Sequence, residues 1–288
     1  MLATTDWNLA CFDVDRPSDF AARFLSTLLK REIQKVFPIP PHEFSPSTRE
    51  YVTAVTECIR GIGGKVLTIY GSGSFHHFTY GLVKNIADAI SSNYAYIHID
   101  QHTDDRWPEA EQLSSGSFVG QISLKHTVAA VRYIGCEQIM NTKTPTRIIL
   151  QNKTINELGV KQSLTSLLEG TPQDVYVSID LDVLKKNEML TRWSEGEMSI
   201  DTLIEIIAFL KNNKNIISAD ILGHGSYHVP FDVDEKPDLS DALRKKINHT
   251  NMLVYAIVVG TFLGIDISTW KQEHGKLASE DLHKYLNQ

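Results

Sequence analysis

The chain has 288 residues, of which 42% are hydrophobic and 22% are charged, a composition typical of a globular protein. Its formal net charge of −7 at pH 7 argues against nucleic acid as a partner and favours a cationic ligand. The longest apolar stretch, residues 252–265, is too short to span a bilayer, so it predicts a buried helix and no membrane association.

The cysteines and the first residues of the chain predict a cytoplasmic protein. Cys11, Cys58 and Cys136 have neither CxxC nor zinc-site spacing, and we interpret them as reduced, mostly buried thiols. Residues 1–6 lack the basic segment and the apolar core that a signal peptide needs. We therefore expect a reducing compartment and no export signal.

Apolar periodicity predicts strands that alternate with helices along most of the chain. The predicted strands or extended segments are residues 7–14, 65–70, 94–100, 118–124, 133–134, 147–150, 175–180 and 216–222. The predicted helices are residues 19–36, 46–59, 126–131, 161–168, 199–211, 239–265 and 279–286, and a further helix that ends near Ser91. This alternation is typical of a three-layer, doubly wound α/β fold with a mostly parallel sheet. No repeat or linker divides residues 1–288, so we predict a single domain.

The strand predicted at residues 94–100 ends in three side chains that could bind a metal ion. Asp100, His102 and Asp104 stand at alternate positions, so in an extended segment their side chains point the same way. In an open α/β sheet, ligands bind at the carboxyl ends of strands. Taken alone, the triplet could equally be a polar turn in which an aspartate caps a helix.

Two further strand ends favour a metal site over a capped turn. The strand at residues 175–180 runs into Asp180 and Asp182, and His76 follows the strand at residues 65–70. Carboxylates are seldom buried unless they are paired or bound to metal, so capping alone hardly explains two such strand ends. Two ions could share these four carboxylates and two imidazoles, and oxygen-rich ligation with some imidazole suits Mn²⁺ better than Zn²⁺. The predicted metal ligands are His76, Asp100, His102, Asp104, Asp180 and Asp182.

These motifs resemble those of the arginase and agmatinase family of binuclear manganese ureohydrolases. The family's Gly-Gly-Asp-His-Ser motif corresponds to residues 73–77, its Asp-Ala-His-x-Asp motif to residues 100–104, and its Ser-x-Asp-x-Asp motif to residues 178–182. The likeness covers roughly residues 65–222 and implies an arginase/deacetylase-like fold with two Mn²⁺ ions. It is also compatible with a homo-oligomer, because family members are often oligomers.

The resemblance assigns each ligand to an ion. His76 and Asp104 would hold the first ion, and His102 and Asp182 the second. The bridging ligands would be Asp100 and Asp180. In such a centre the ions lower the pKa of a shared water, and the resulting hydroxide attacks a guanidino carbon and releases urea. Asp104 could also accept a hydrogen bond from that water.

Three residues that matter in the family are replaced in this sequence. The family's proton-shuttling histidine falls on Val119, and an asparagine that holds the substrate carboxylate in arginases falls on Arg106. The glutamate that pairs with the guanidinium falls near Gly223 or His224. We expect His224 to protonate the leaving amine, since it follows a strand end. The other candidates are His77, His126 and His228.

The altered loop after the first acidic motif bears on the substrate. Ser115 is retained from the family's amino-acid clamp, whereas Arg106 replaces the asparagine and could itself bind a carboxylate. Trp107, Phe118 and Val119 are expected to add apolar surface at the rim, which suits a bulky substrate. Acidic residues expected near the mouth could attract a cationic side chain. They are Asp105, Glu109, Glu111, Glu195 and Glu197.

These features resemble the peptide-arginase branch, so we predict that the protein converts arginine side chains in a peptide to ornithine. Ser115, Arg106, Glu195 and Glu197 are the predicted substrate-binding residues, and Asp104 and His224 the catalytic ones. One alternative is hydrolysis of a free guanidino compound such as arginine or agmatine. Another is a non-catalytic protein that keeps the metal ions as a structural clamp.

Overall fold

The computed structural model describes residues 7–12, 16–36, 57, 59–60, 62, 64–89, 93–106, 113–125, 128–138, 147–191, 196–223 and 241–277. Within these residues, eight parallel strands form one sheet in the order β2-β1-β3-β8-β7-β4-β5-β6. The strands are β1 (Trp7–Phe12), β2 (Gln34–Val36), β3 (Lys65–Ile69), β4 (Tyr94–Ile99), β5 (Val128–Ile134), β6 (Ile148–Leu150), β7 (Asp174–Asp180) and β8 (Asn215–Leu222). The predicted α/β class with a parallel sheet is confirmed.

Helices cover both faces of this sheet, as its buried central strands require. The described helices are Arg16–Leu29, Thr79–Ala89, Phe118–Lys125, Asn152–Leu158, Val160–Leu167, Ile200–Asn213, Asp241–Leu263 and Ser268–Leu277. One face of the sheet is mainly aliphatic and packs against Ile200–Asn213 and Asp241–Leu263. The other face is rich in tyrosine and packs against Thr79–Ala89 and Phe118–Lys125. The sheet with helices packed on each of its two faces forms the three layers that the sequence predicts.

Two predicted elements between residues 118 and 134 are wrong. Phe118–Lys125 is a helix rather than an extended segment, because Phe118, Val119 and Ile122 bury one helical face. The segment predicted as a helix at residues 126–131 instead enters strand β5, which pairs with β4 through its whole length. Short apolar runs fit both periods, so contacts with the rest of the protein decide between them.

The helix predicted at residues 19–36 ends earlier than expected. Helix Arg16–Leu29 stops before Lys30, whose φ of +49° is the left-handed conformation that commonly ends a helix. The chain then forms β2, which pairs with β1. The sequence analysis also missed helices Asn152–Leu158 and Ser268–Leu277. The helices predicted at residues 46–59 and 279–286 lie almost entirely outside the described residues.

The cysteines and the apolar stretch agree with the sequence-based expectations. Cys11 and Cys136 are buried and outside any disulfide, whereas Cys58 lies outside the described residues. Residues 252–263 form part of helix Asp241–Leu263, and its side chains from Val254 to Val258 are fully buried. Among the described helices, none has the length and apolar character needed to cross a membrane. The division into domains stays a prediction.

Asn251 fastens the longest described helix to the loop that follows β7. Its side chain is fully buried, and Oδ1 accepts a hydrogen bond from the Leu190 backbone N–H at 3.2 Å. Its Nδ2 donates to the Leu190 carbonyl at 2.7 Å. At the far end, Lys211 Nζ donates to the carbonyls of Thr261 and Phe262, both at 2.7 Å. Polar contacts therefore fix this helix at its middle and near its carboxyl end.

We expect Asn251→Ala to lower the free energy of unfolding by about 2–4 kcal/mol, because two buried backbone groups lose their partners. Urea denaturation followed by circular dichroism would measure the change. Asn213→Ala is the matched control, since the exposed Asn213 side chain makes one bond to the Phe209 carbonyl. The control should change the free energy by less than about 0.5 kcal/mol. Equal losses in the two variants would contradict this account of Asn251.

Candidate metal centre

The end of β4 folds its ligands back towards the sheet. Asp100 directly follows β4, and its Oδ1 accepts a hydrogen bond from the His102 N–H at 2.6 Å. Asp104 has a φ of +46°, a left-handed conformation that is uncommon for a residue with a side chain. Its carbonyl accepts a hydrogen bond from the Val119 N–H at 2.9 Å. The start of helix Phe118–Lys125 therefore holds the backbone of Asp104.

The end of β7 repeats this arrangement. Asp180 Oδ1 accepts a hydrogen bond from the Asp182 N–H at 3.0 Å, which caps the single 3₁₀ turn Leu181–Val183. Asp182 Oδ1 in turn accepts from the Gln101 N–H at 3.2 Å. The two strands are neighbours in the sheet, so this bond joins the two acidic strand ends directly.

His76 comes from a third strand end. The 3₁₀ helix Gly73–Phe78 follows β3 and is capped by Ser72, whose hydroxyl accepts from the Ser74 N–H. This turn places the His76 ring at the carboxyl ends of the central strands, where no part of the ring is exposed. His76 Nδ1 lies near three carboxylates. The distances are 3.0 Å to Asp100 Oδ2, 3.2 Å to Asp104 Oδ2 and 3.6 Å to Asp180 Oδ2.

His102 forms the other half of the cluster. Its Nδ1 lies 3.0 Å from Asp182 Oδ2 and 3.4 Å from Asp100 Oδ1. Asp100 thus presents one oxygen to His102 and the other to His76, an arrangement that suits a bridging carboxylate. His102 and Asp104 are the most exposed of the six, at 15% and 10% of their side chains. The cluster therefore opens towards solvent on their side.

The spacing of the nitrogen and oxygen atoms in this cluster suits the coordination of divalent ions. Atoms that bind one ion at about 2.1 Å lie about 3 Å apart, which is the spacing found here. Asp100, His102 and Asp182 each place one such atom within 4.8 Å of the others. His76 Nδ1 and Asp100 Oδ2 are buried, yet neither makes a hydrogen bond to any described residue. Buried polar atoms without partners are costly, and a bound cation would satisfy them.

Burial and mutual repulsion shift the pKa values of the carboxylates. Burial raises the pKa of Asp180 to about 7, and the Asp100 carboxylate adds to this shift. Burial and the Asp180 carboxylate raise the pKa of Asp182, and burial and Asp100 raise that of Asp104. Burial acts on Asp100 as well, but the nearby imidazoles, that of His98 first, hold its pKa well below the usual range.

The imidazoles respond to the same charges. Burial would lower the pKa of His102, but the Asp100 and Asp182 carboxylates raise it to about 11. Burial also opposes a charge on His76, whereas Asp100 and Asp104 raise its pKa well above the ordinary value. Ligands must lose their protons before they bind a metal ion, so we expect metal affinity to rise with pH.

Sequence reasoning missed two polar residues that support these ligands. His98, on β4, lies 3.3 Å from Asp100 Oδ2 and 3.1 Å from the His102 carbonyl through its Nε2. Asp220, on β8, accepts hydrogen bonds from three hydroxyl groups, one of which contacts His76. Both residues are fully buried. The available signal was a polar residue inside an otherwise apolar strand.

The predicted substrate-binding residues are only partly described. Arg106 and Glu197 are exposed and Ser115 is half-buried, and their roles stay predictions. Glu195 and the predicted proton donor His224 lie outside the described residues. So do three further predicted features of the rim and mouth. They are Trp107, Glu109 and Glu111.

The predicted apolar rim is wrong for two of its residues. Phe118 and Val119 are fully buried, and the Phe118 ring packs on His76 with 4.6 Å between ring centroids. The helical conformation of this segment turns both side chains inward. Asp105 is also fully buried, where it accepts a hydrogen bond from the Tyr133 hydroxyl and forms an ion pair with Arg147. It therefore does not act as an exposed acidic group at the mouth.

A model of the arginase family matches residues 33–223. The chain belongs to the arginase family. The predicted enzyme class, a hydrolase acting on guanidino C–N bonds, is the class of this family. A Thermotoga maritima protein described as uncharacterized is 30% identical over 158 residues, which cover 54% of this chain and 57% of that relative. The match thus spans a little over half of the relative's length.

Solved structures share the arginase-family fold at low identity. A hypothetical agmatinase from Burkholderia thailandensis superposes with a TM-score of 0.69 at 18% identity, over 96% of this chain and 89% of that one. The arginase from Bacillus subtilis superposes with a TM-score of 0.65 at 14% identity, over 90% and 99%. At such identities the likeness establishes the fold, and the substrate has to be argued from the site.

The backbone of Gly223 lies directly against the side chain of Asp180. Its φ is +93°, and its N–H donates to the Gly71 carbonyl at 2.9 Å. A Cβ atom there would lie 1.9 Å from Asp180 Oδ1 and 2.7 Å from the Leu181 backbone nitrogen. No side chain fits at this position, so a glutamate could not stand at Gly223.

We expect Gly223→Ala to weaken Mn²⁺ binding at least about 10-fold, because the methyl group displaces a predicted bridging ligand. Gly159→Ala is the matched control: its φ is +78°, but nothing lies within 4 Å of the added Cβ. Backbone strain should cost the control about 1–3 kcal/mol of unfolding free energy without changing metal affinity. Calorimetric titration and urea denaturation measure the two effects. Unchanged Mn²⁺ affinity in Gly223→Ala would contradict the predicted role of Asp180.

Proposed function

We propose that this chain is a binuclear manganese hydrolase that attacks a guanidino carbon and releases urea. The observation that supports it most is the position of Asp100, which offers Oδ2 to His76 and Oδ1 to His102. Around it, Asp104 and Asp180 complete the His76 half, and Asp182 completes the His102 half. The proximity of Asp104 to His76, of Asp182 to His102 and of Asp100 to both supports the ligand sets that the family motifs imply, whereas Asp180, the second implied bridge, lies near His76 alone.

Among the described ligands, His102 and Asp104 have the most exposed side chains, so we place the reaction on their side of the cluster. Two divalent ions held there would lower the pKa of a shared water towards neutrality and so supply a nucleophile. Among the four carboxylates, Asp104 has the most exposed side chain, so we assign it to accept a hydrogen bond from the attacking water. We keep His224 as the proposed donor of the proton that the leaving amine needs. A purely structural clamp would gain nothing from the opening at His102 and Asp104.

Within this class we propose arginine side chains of a peptide as the substrate and ornithine side chains as the product. Arg106 is exposed two residues after Asp104, where arginases carry a carboxylate-binding asparagine, so the amino-acid clamp is altered. The exposed Glu197 and the neighbouring Glu195 are proposed to attract the cationic side chain, and Ser115 to bind its backbone. Free arginine is the second candidate, because the guanidinium of Arg106 could pair with a free carboxylate.

The metal content tests the proposed centre. The protein reconstituted with Mn²⁺ should hold two ions per chain, with an affinity that rises with pH from about 7 upwards, because Asp180 and His102, whose pKa values are raised to about 7 and about 11, must lose their protons. Asp180→Ala should lose most of the metal. Asp174→Ala, at the opposite end of the same strand, is the control and should keep both ions. Elemental analysis that finds a single zinc ion, or no metal after manganese loading, would refute the binuclear centre.

The substrate proposal is tested by mass spectrometry of an arginine-containing peptide incubated with the manganese-loaded protein. Each converted residue should lose one CH2N2 unit, with one urea released. The same peptide with lysine in place of arginine is the substrate control, and Asp180→Ala is the enzyme control. Arg106→Asn should raise turnover of free arginine relative to the peptide. Efficient turnover of free arginine or agmatine without any change in arginyl peptides would show that the peptide assignment is wrong.

A further inference from the structure

A row of buried polar residues crosses the sheet directly beneath the metal centre. His98 of β4 pairs in register with Ser178 of β7, and Ser178 pairs with Asp220 of β8. Each of the three is fully buried. His98 and Ser178 stand two residues before Asp100 and Asp180, so all four side chains point to the same face of the sheet. Polar groups in buried strands are costly unless they are paired, and these pair with one another and with the ligands.

Asp220 is the fixed end of this row. Its Oδ2 accepts hydrogen bonds from Tyr70 Oη at 2.8 Å, from Thr79 Oγ1 at 2.8 Å and from Ser178 Oγ at 3.2 Å. Burial raises the pKa of Asp220, but once it is ionised the carboxylate only accepts hydrogen bonds, so the Ser178 hydroxyl hydrogen then points towards Asp220. The Ser178 oxygen then has only lone pairs to offer its other neighbour.

That other neighbour is His76. Its Nε2 lies 2.9 Å from Ser178 Oγ, while its Nδ1 faces the ligand carboxylates. Because the Ser178 hydrogen is committed to Asp220, Nε2 must carry the proton that joins the two side chains. A neutral imidazole has one protonated nitrogen, so Nδ1 keeps the lone pair that a metal ion needs. The direction of two hydrogen bonds thus selects the tautomer of a predicted ligand.

We propose that Asp220 and Ser178 are positioning residues that hold His76 in its metal-binding tautomer. The inference rests on the proposed metal centre and concerns its support rather than its ligands. Without an acceptor at position 220, the Ser178 hydroxyl is free to donate to His76 Nε2. The imidazole proton then moves to Nδ1, where it blocks metal binding. Residues of this kind typically change metal affinity by about 10–100-fold.

Titration with Mn²⁺ alone, followed by the signal of the free ion in electron paramagnetic resonance, tests this directly. Ser178→Ala should weaken binding of one of the two ions by about 10–100-fold and leave the other nearly unchanged. Ser218→Ala is the matched control. Ser218 is a buried serine on β8 whose hydroxyl donates to the Val66 carbonyl at 2.7 Å rather than pairing with His76. It should bind both ions as the wild type does.

A second pair of variants distinguishes the effect of the acceptor oxygen of Asp220 from the effect of its buried negative charge. Asp220→Leu removes the acceptor and should weaken the same ion as Ser178→Ala. Asp220→Asn can place its carbonyl oxygen where Oδ2 stands, with its amide group at Oδ1, where the nearby Tyr176 hydroxyl can accept a hydrogen bond from it. It should therefore restore affinity close to that of the wild type. Circular dichroism and urea denaturation of the metal-free variants verify that they fold.

The outcomes distinguish the two levels of the proposal. If the wild type binds fewer than two Mn²⁺ ions, the proposed centre itself fails. If it binds two, and Ser178→Ala binds them as tightly as Ser218→Ala, only the positioning role is overturned. Equal losses in Asp220→Asn and Asp220→Leu would also overturn it, since the buried charge rather than the direction of the hydrogen bonds would then matter.

Discussion

The main physical constraint on this structure is the repulsion among four carboxylates that the ends of β4 and β7 bring to one buried point. Backbone N–H groups and two imidazoles offset part of it, as the bonds from His102 and Asp182 show. Burial and the remaining repulsion together raise the pKa values of Asp104, Asp180 and Asp182. Cations relieve such repulsion, and they bind only when the strand ends are in place. We therefore expect metal binding at the proposed centre to be linked to folding.

The ligands could be predicted from the sequence because each set is local. The alternation of Asp100, His102 and Asp104 needs only the two-residue period of an extended chain, and the same holds at the end of β7. Asp220 could not be predicted in this way. Its contact with Ser178 exists because β8 lies beside β7, and the sequence alone does not determine the order of strands in a sheet. Its contacts with Tyr70 and Thr79 come from a still more distant part of the chain.

The error at residues 118–134 shows how one local mistake changes a functional argument. On an extended segment, Phe118 and Val119 would point to opposite sides, and one of the two side chains could face the mouth. In the helix both turn inward, and the N–H of Val119 instead holds the Asp104 carbonyl. The segment that provides the proton-shuttling histidine in the family thus keeps a structural role here. It fixes a predicted ligand through its backbone, which any residue except proline can do.

The two sides of the site have diverged to different degrees. On the metal side, all six ligand positions and the hydrogen bonds beneath them are consistent with one centre. On the substrate side, Val119 cannot move a proton, and the contact of Gly223 with Asp180 excludes a glutamate at that position. A nucleophile depends on the metal side alone, whereas recognition of a guanidinium depends on the substrate side. The proposed hydrolytic chemistry therefore requires only the metal side, whereas the proposed substrate depends on residues such as Arg106, whose role stays a prediction.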